Sequence, residues 1–197
     1  MDLFLGIDVG TSGARVILVT PDGRVVAEGA QPLESIRQPG IHEQDPEMWW
    51  TAVAQLIRGL AIDAAAIQSV AVTSTSGSLV LTDENGNPVR NAILYDDARA
   101  ASVLEPFREA GCDDVNASWS LAKAVWVRGF ESTVWRRVVH LLHPADWLAG
   151  KLTGLWNVSD YSNSLKLGYD PVQQHWGRAA FVAQMDPAVL PEVLTPG

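Results

Sequence analysis

The stretch Gly6-Ile7-Asp8-Val9-Gly10-Thr11-Ser12-Gly13, close to the start of the chain, decides the fold. Apolar residues alternate with polar or small ones from position 2 to position 9, which predicts a half-buried strand, and the Gly-Thr-Ser-Gly tetrapeptide predicts a turn after it. Glycine permits the backbone angles that aim several N–H groups at an anion, and Thr11 and Ser12 add hydroxyl donors. Asp8 lies on the strand face opposite Leu5 and Ile7, where its carboxylate could hold Mg²⁺ through water.

These eight residues by themselves also fit an ordinary hairpin turn with a capping aspartate. The stretch is neither a G-x-G-x-x-G motif nor a P-loop lysine motif, which disfavours dehydrogenase and P-loop folds. The chain continues with a second strand over 14–19, a turn at Pro21-Asp22-Gly23 and a third strand over 24–28. Residues 2–29 therefore predict an antiparallel β-meander, unlike the βαβ opening of a dinucleotide-binding domain.

A helix is predicted next, because Asp45 can cap it, Pro46 suits its first position and Glu47 complements its dipole. One face of this helix is apolar and should pack on the sheet; it comprises Trp49, Val53, Leu56, Ile57 and Leu60. Further on, the sequence predicts a short buried-type strand over 69–73, strands at 79–81, 92–95 and 138–142, helices over 98–110, 120–127 and 147–152, and an extended loop over 191–197. The predicted class is α/β: a mixed sheet that starts with a meander and is flanked by helices.

Composition narrows the range of functions. The 197 residues carry 14 basic and 23 acidic side chains, a net charge of −9, which argues against partners such as nucleic acid or an anionic membrane. Cys112 is the sole cysteine, so no internal disulfide can form and a cytoplasmic location is expected. The sequence has neither a signal peptide nor a run of 18 apolar residues. The four histidines lack metal-ligand spacing, and no G-x-S-x-G hydrolase motif occurs.

Five further segments resemble, in order and at fitting spacing, the FGGY family of carbohydrate kinases. They cover nearly the whole chain, together with the first turn, and are Glu43–Trp50 (EQDPEMWW), Ala92–Arg99 (AILYDDAR), Leu121–Trp126 (LAKAVW), Pro144–Leu148 (PADWL) and Ser159–Asn163 (SDYSN). The resemblance is to a xylulokinase-like or D-ribulokinase-like branch. It implies the actin-like ATPase (ribonuclease H-like) fold and a reaction that moves the γ-phosphoryl group of ATP, with Mg²⁺, onto a small sugar.

The resemblance also implies roles for particular residues. Asp8 would lie near the metal and the transferring phosphoryl group, with Thr11 beside it. The phosphates would face Gly10, Thr11, Ser12 and Gly13; the sugar would be bordered by Ser76 and Gly77; and polar contacts at the cleft wall would come from Asp96, Asp97 and Arg99. The last three residues fit equally well a helix cap with an ion pair. Lys123 and Trp126 are expected to support the site rather than to contact ligands.

Ser74-Thr75-Ser76-Gly77 stands where typical xylulokinases carry Q-M-H-G, which slightly favours a ribulose-type ketopentose over D-xylulose. Residues 1–197 are expected to be an incomplete N-terminal sugar-binding lobe that is inactive alone, with the general-base aspartate and the nucleotide lobe beyond Gly197. Two alternatives stay open: a non-catalytic sugar-binding or sensing protein with the same fold, and an actin-like ATPase with a protein partner. The oligomeric state, including a homodimer, is also open.

Overall fold

A four-stranded mixed sheet carries the N-terminal part of the molecule in the computed structural model, which describes residues 2–195. Its strand order is β3-β2-β1-β6, with bounds Leu3–Val9 (β1), Gly13–Val19 (β2), Val25–Pro32 (β3) and Ile67–Ser74 (β6). β1 pairs antiparallel with β2 and β2 with β3, whereas β1 and β6 are parallel. The predicted meander and the mixed sheet are therefore confirmed.

Shorter elements surround this sheet. The remaining strands are β4 (Ile36–Gln38), β5 (Ile41–Gln44), β7 (Val80–Thr82), β8 (Ala92–Ile93), β9 (His140–Leu142), β10 (Val158–Asp160), β11 (Tyr169–Asp170), β12 (His175–Trp176) and β13 (Glu192–Leu194). The α-helices are α1 (Pro46–Gly59), α2 (Glu105–Glu109), α3 (Ser120–Phe130), α4 (Ser132–Trp135), α5 (Pro144–Thr153), α6 (Tyr161–Ser164) and α7 (Arg178–Val182). Four 3₁₀ turns lie at Ala64–Ala66, Arg99–Val103, Leu165–Leu167 and Pro187–Val189.

Helix α1 begins as its sequence predicts. The Asp45 carboxylate accepts a hydrogen bond of 3.0 Å from the Glu47 backbone N–H, and Pro46 occupies the first helical position, where no N–H is needed. Trp49 and Val53 are buried, and the other apolar residues of the predicted face pack against the same core. The helix therefore covers one face of the sheet.

Two hydrophobic cores result. The first lies between the inner face of the sheet and helices α1 and α5, and the Trp49 and Trp147 rings meet edge to face in it with centroids 6.3 Å apart. The second gathers β7, β9, α3 and the segment around α2, with Phe107 and Leu121 fully buried. Among residues 2–195 there is no helix that is both long enough and apolar enough to span a membrane.

Three sequence predictions are wrong. The short buried-type strand predicted over 69–73 is β6, which within residues 2–195 lies at the sheet edge and leaves several side chains exposed, including Val70 at 44%. The helix predicted over 98–110 is broken into a 3₁₀ turn and α2, because Pro106 has no N–H to donate to the carbonyl four residues earlier and is tolerated only in the first turn of a helix, where α2 has it. Within the predicted loop over 191–197, residues 192–194 form β13, which pairs with β10; residues 196 and 197 lie outside the described residues.

Candidate functional site

The parallel pairing of β1 with β6 brings the two predicted turns to one edge of the sheet. Asp8 lies opposite Thr73, and Val9 opposite Ser74, at the carboxyl ends of both strands. Neighbouring strands are about 4.8 Å apart, so the segments that follow, residues 10–13 and 75–78, emerge side by side. A third element joins them, because the first turn of α5 donates the Ala145 N–H to the Ser74 hydroxyl at 3.0 Å.

In the first turn, residues 10–13, the Thr11 and Ser12 carbonyls are bound by other parts of the protein. The Thr11 carbonyl accepts from the Gln44 side chain at 2.8 Å, and the Ser12 carbonyl accepts from the Leu33 N–H at 3.1 Å. The Thr11 and Ser12 N–H groups make no hydrogen bond with any residue in the range 2–195. Two adjacent donors are therefore available to an anion.

The glycines of this turn have structural roles in addition to those that the sequence predicts. The Gly10 N–H donates to the Gly13 carbonyl at 3.0 Å, so it closes the turn and does not point at a ligand. A Cβ at Gly13 would lie 2.8 Å from the Gln31 carbonyl oxygen, a separation that real side chains do not adopt. Position 13 therefore requires glycine, because β3 lies too close for any side chain to fit there.

Asp8 lies on the outward face of the sheet, with its carboxylate 43% exposed. The Arg15 guanidinium, which lies directly across the ladder on β2, donates to it at 3.1 Å. An exposed pair of this kind contributes about 0–1 kcal/mol, so a phosphate or a metal ion can displace it easily. Arg15 is not among the residues predicted from the sequence, although the strand alternation and a short hairpin would place it opposite Asp8.

Gln44 is a second functional residue that is absent from the sequence-based predictions. Its buried amide donates to the Thr11 carbonyl and to the Ser35 hydroxyl at 2.9 Å, while its oxygen accepts from the Trp49 indole N–H at 2.8 Å. Two of these bonds link the first turn to α1 through Gln44, and the third ties Gln44 to Ser35. The sequence signal is the position of Gln44 next to the Asp45 cap, but its partner in the turn is 33 residues away.

The second turn, residues 75–78, is held by Ser78. Its buried hydroxyl is 2.8 Å from the Thr75 hydroxyl and accepts from the Tyr95 N–H at 3.0 Å. Ser76 is exposed, and Gly77 has a φ of +84°, which favours glycine. Any Cβ at Gly77 would also collide with the Ser118 carbonyl. The turn therefore presents the Ser76 hydroxyl beside a surface formed by residues 95 and 118.

Asp97 and Arg99 form part of a buried ion-pair network. The Asp97 carboxylate accepts from the His42 N–H at 2.8 Å and from the Arg99 guanidinium, which also pairs with Glu43 and lies 4.7 Å over the Trp126 ring. Burial opposes ionisation of Asp97, but the hydrogen bonds from Arg99 and His42 outweigh it and hold the pKa of that carboxyl below its ordinary value. Both side chains therefore brace the cleft wall.

Asp96 is more accessible, with 32% of its side chain exposed. One carboxylate oxygen lies 2.5 Å from the His42 Nδ1 and the other 3.4 Å from the Arg37 guanidinium. Of the three residues predicted at the cleft wall, Asp96 has the most exposed side chain, at 32% against 18% for Arg99 and 0% for Asp97.

Lys123 crosses the interior behind this wall. Its ammonium donates to the carbonyls of Ala117 at 2.9 Å and Tyr95 at 3.4 Å, so it ties the segment before α3 to the segment after β8. Burial, opposed by nearby Asp97 and Asp96 and reinforced by the positive charge of Lys166, lowers the pKa of Lys123 to about 7. Lys123 contacts protein carbonyls, consistent with the supporting role expected of it.

A Ser-His-Asp grouping lies at the starts of α3 and α5. The Ser120 hydroxyl is 2.9 Å from the His143 Nε2, and the His143 Nδ1 is 3.4 Å from the Asp146 carboxylate. Ser120 and His143 have no exposed surface, so no substrate carbonyl can reach the hydroxyl and the arrangement is structural. Within the described part of the chain, no group of three His, Cys, Asp or Glu residues is placed to hold a metal ion.

Known proteins resemble this chain in sequence and in fold. The family model described as "FGGY family of carbohydrate kinases, N-terminal domain" matches residues 3–196. The chain is 31% identical to the xylulose kinase of Escherichia coli (strain K12) over 88% of its own length and 38% of that protein, and 29% identical to a xylulose kinase of Staphylococcus epidermidis over 90% and 38%. A xylulose kinase structure from Lactobacillus acidophilus superposes with a TM-score of 0.89 at 20% identity, covering 100% of this chain and 42% of that one. The predicted actin-like fold class is thereby confirmed, and the chain spans about two fifths of the length of these relatives.

Proposed function

The chain belongs to the FGGY family of carbohydrate kinases, and on that premise we propose that the complete protein transfers the γ-phosphoryl group of ATP to a hydroxyl of a small sugar. The acceptor is a ketopentose such as D-ribulose or D-xylulose. Residues 1–197 act as the N-terminal lobe, which binds the sugar and the phosphate end of ATP. The nucleotide pocket and the general base come from the length of the relatives that this chain does not span.

The observation that supports this proposal best is the common edge of β1 and β6. It puts a turn with two unpaired backbone N–H groups, within residues 2–195, next to a turn with an exposed serine hydroxyl. Phosphoryl transfer is mainly a matter of positioning donor and acceptor and of offsetting charge on the transferring group. An anion-binding turn beside a hydroxyl-binding turn provides both functions.

On the donor side, the Thr11 and Ser12 N–H and hydroxyl groups bind the transferring phosphoryl group. Gly10 and Gly13 shape the turn that presents them, and Arg15 moves from Asp8 to a phosphate oxygen. Guanidinium groups bind phosphate in bidentate fashion, and this one is 60% exposed and able to turn.

The residues present fit Mg²⁺ when it is carried by ATP. Within residues 2–195, the Asp8 carboxylate lies at the end of β1, just before the phosphate turn, and Mg²⁺ is commonly held by one or two carboxylates, substrate phosphates and several waters. The ion, when bound, offsets the negative charge of the phosphates. Asp8 would then orient the water shell of the ion. Gln44, which binds the Thr11 carbonyl, would hold the turn in position next to that carboxylate.

On the acceptor side, the Ser76 hydroxyl and the Gly77 backbone replace water around the sugar, and Asp96 accepts from a sugar hydroxyl. Asp97 and Arg99 hold this wall in place through their mutual ion pair. The relatives named as xylulose kinases favour D-xylulose, whereas the Ser-Thr-Ser-Gly sequence favours a ribulose-type sugar. Both ketopentoses therefore belong in the test.

The experiment measures ADP release by the complete protein that carries this chain, with Mg²⁺–ATP and a panel of ketopentoses, polyols and aldonates. We expect turnover with one ketopentose and a fall in kcat of at least about 100-fold in Asp8→Asn, because charge near the transferring group is lost. Asp113→Asn, an exposed carboxylate elsewhere, is the matched control and should leave kcat unchanged. A folded protein that binds a sugar without releasing ADP would reject the kinase and favour the sugar-sensing alternative.

A further inference from the structure

Lys166 differs from the other two lysines of the chain in having no partner for its ammonium group within residues 2–195. Lys151 pairs with Glu47 at 2.6 Å, and Lys123 donates to two carbonyls. Across the described residues, the Lys166 ammonium makes neither a hydrogen bond nor an ion pair, although the side chain is half-buried. An ammonium that is partly removed from water without an acceptor is unfavourable unless something else supplies the acceptor.

The position of Lys166 is fixed by the second turn. The side chain lies over Gly77, so that its Cδ is 2.9 Å and its Nζ 3.2 Å from the place where a Cβ at Gly77 would be. Glycine is needed at position 77 for its positive φ and for the close approach of the Ser118 carbonyl, and the lysine passes over the same point. The ammonium consequently sits at the turn to which the exposed Ser76 hydroxyl belongs.

A second positive charge close to Lys166 makes the unpaired ammonium group still less favourable. It lies close enough to Lys123 to disfavour the charged form of that group, so two ammonium groups share this region. The two acidic side chains that act on Lys123 in the same region are already engaged: Asp97 with Arg99, and Asp96 with His42 and Arg37. The charge of Lys166 is therefore left for an oxygen atom from outside residues 2–195.

We propose that Lys166 is a specificity-determining residue that binds the sugar substrate, donating hydrogen bonds to an oxygen-rich group such as a ketose carbonyl with its adjacent hydroxyl. This inference rests on the proposed function, since the sugar is placed at the Ser76–Gly77 turn. An aldonate carboxylate offers the same oxygen-acceptor chemistry, whereas a polyol lacks the carbonyl. Lys166 thus selects for the oxidised end of the substrate over a fully reduced one.

The test compares steady-state kinetics of the complete protein with those of Lys166→Met and Lys166→Arg, using Mg²⁺–ATP with D-ribulose, D-xylulose, the matching pentitols and the matching pentonates. A hydrogen bond from a charged donor corresponds to a change of about 10- to 100-fold. We expect Lys166→Met to raise KM for the ketopentose by that factor, with KM for ATP within about twofold of wild type. Lys166→Arg should recover part of the loss, and the ketose-to-pentitol preference should shrink in Lys166→Met.

Lys151→Met is the matched control, since it removes a lysine that already has a partner, and it should leave the KM for the sugar within about twofold. Two results would overturn the role of Lys166 while the kinase assignment stands: an unchanged sugar KM in Lys166→Met, or equal losses for sugar and ATP, which would mean a structural role. Absence of turnover by the folded wild-type protein with every sugar would instead reject the proposed function, and this inference with it.

Discussion

The Lys123 amine is buried, and burial disfavours its positively charged form. The side chain is 1% exposed, and its ammonium has two carbonyl partners and, within residues 2–195, no carboxylate in direct contact. Carbonyl dipoles hold the ammonium in place but offset only part of the lost hydration. Burial is accordingly the leading cause of its pKa of about 7, against an ordinary value of 10.5.

This lowered pKa predicts a pH dependence of stability. Between about pH 7 and 10.5, the unfolded chain binds a proton at Lys123 that the folded chain does not, so the free energy of unfolding rises with pH across that window. Below pH 7 both states are protonated and this group adds no slope. The largest slope that a single group can give is about 1.4 kcal/mol per pH unit.

Urea unfolding of the chain and of Lys123→Met, at intervals from about pH 6 to pH 9.5, measures this effect. The difference in unfolding free energy between wild type and variant should shift in favour of wild type as pH rises above 7, because the methionine variant lacks the titrating group. Groups that titrate in both proteins cancel in the difference. Parallel profiles over the whole range would mean that Lys123 keeps an ordinary pKa.

Strands β1 and β2 show how the sheet divides the first core from the outward face. Ile7 on β1 is 2% exposed, whereas Ile17 on β2 is 38% exposed and belongs to the face that also carries Asp8 and Arg15. The ladder pairs Ile7 with Val16 and Gly6 with Ile17, so the two isoleucines lie on adjacent strands with opposite orientations. That outward face borders a shallow depression of about 680 Å³.

The two isoleucines therefore form a matched pair for a test of strand orientation. Ile7→Ala should lower the free energy of unfolding by about 2–5 kcal/mol, because it leaves a cavity under α1. Ile17→Ala should cost less than about 1 kcal/mol, since its side chain is already partly in water. Equal costs in urea unfolding would contradict the register in which β1 pairs with β2.

Elements governed by local rules could be predicted from the sequence. The meander follows from alternation and two turns, and α1 follows from Asp45 and Pro46 at its start. The break within the segment 98–110 has a local signal in Pro106, but the helix-forming residues around that proline favoured the prediction of one continuous helix. The exposure of β6 could not be predicted, because burial depends on what packs against a strand and not on the strand's own residues.

The candidate site likewise contains residues that the local sequence predicts and residues that only the fold reveals. The first turn is contiguous, so its donors could be found from Gly10 to Gly13, yet only the fold shows that the Gly10 N–H is used within the turn. Gln44 and Lys166 act on turns that are distant from them in the chain, at Thr11 and Gly77, and no periodicity links such positions. Long-range partners of this kind require the three-dimensional structure.

At the scale of the whole molecule, the described residues provide both turns but no carboxylate that is placed as a general base at the second turn. Asp8 pairs with Arg15 beside the first turn, Asp96 with His42 and Arg37, and Asp97 with Arg99. The relatives are more than twice as long as this chain, which spans 38% of two xylulose kinases. We therefore expect the groups missing from residues 2–195 to come from the rest of the complete protein.

The corresponding prediction is that the 197-residue chain releases no ADP above the sugar-free background, whereas the complete protein does. Loss of a general base alone costs about 10²- to 10⁴-fold in rate, and loss of the second wall of the cleft also admits water, which competes with the sugar hydroxyl. The assay uses both proteins at equal concentration with Mg²⁺–ATP and the preferred ketopentose, and circular dichroism confirms that the chain is folded. Sugar-dependent ADP release by the folded chain, abolished in Asp8→Asn, would show that residues 1–197 already contain a sufficient base; Asp96, whose carboxylate is the most exposed at the cleft wall, would then be the first residue to replace.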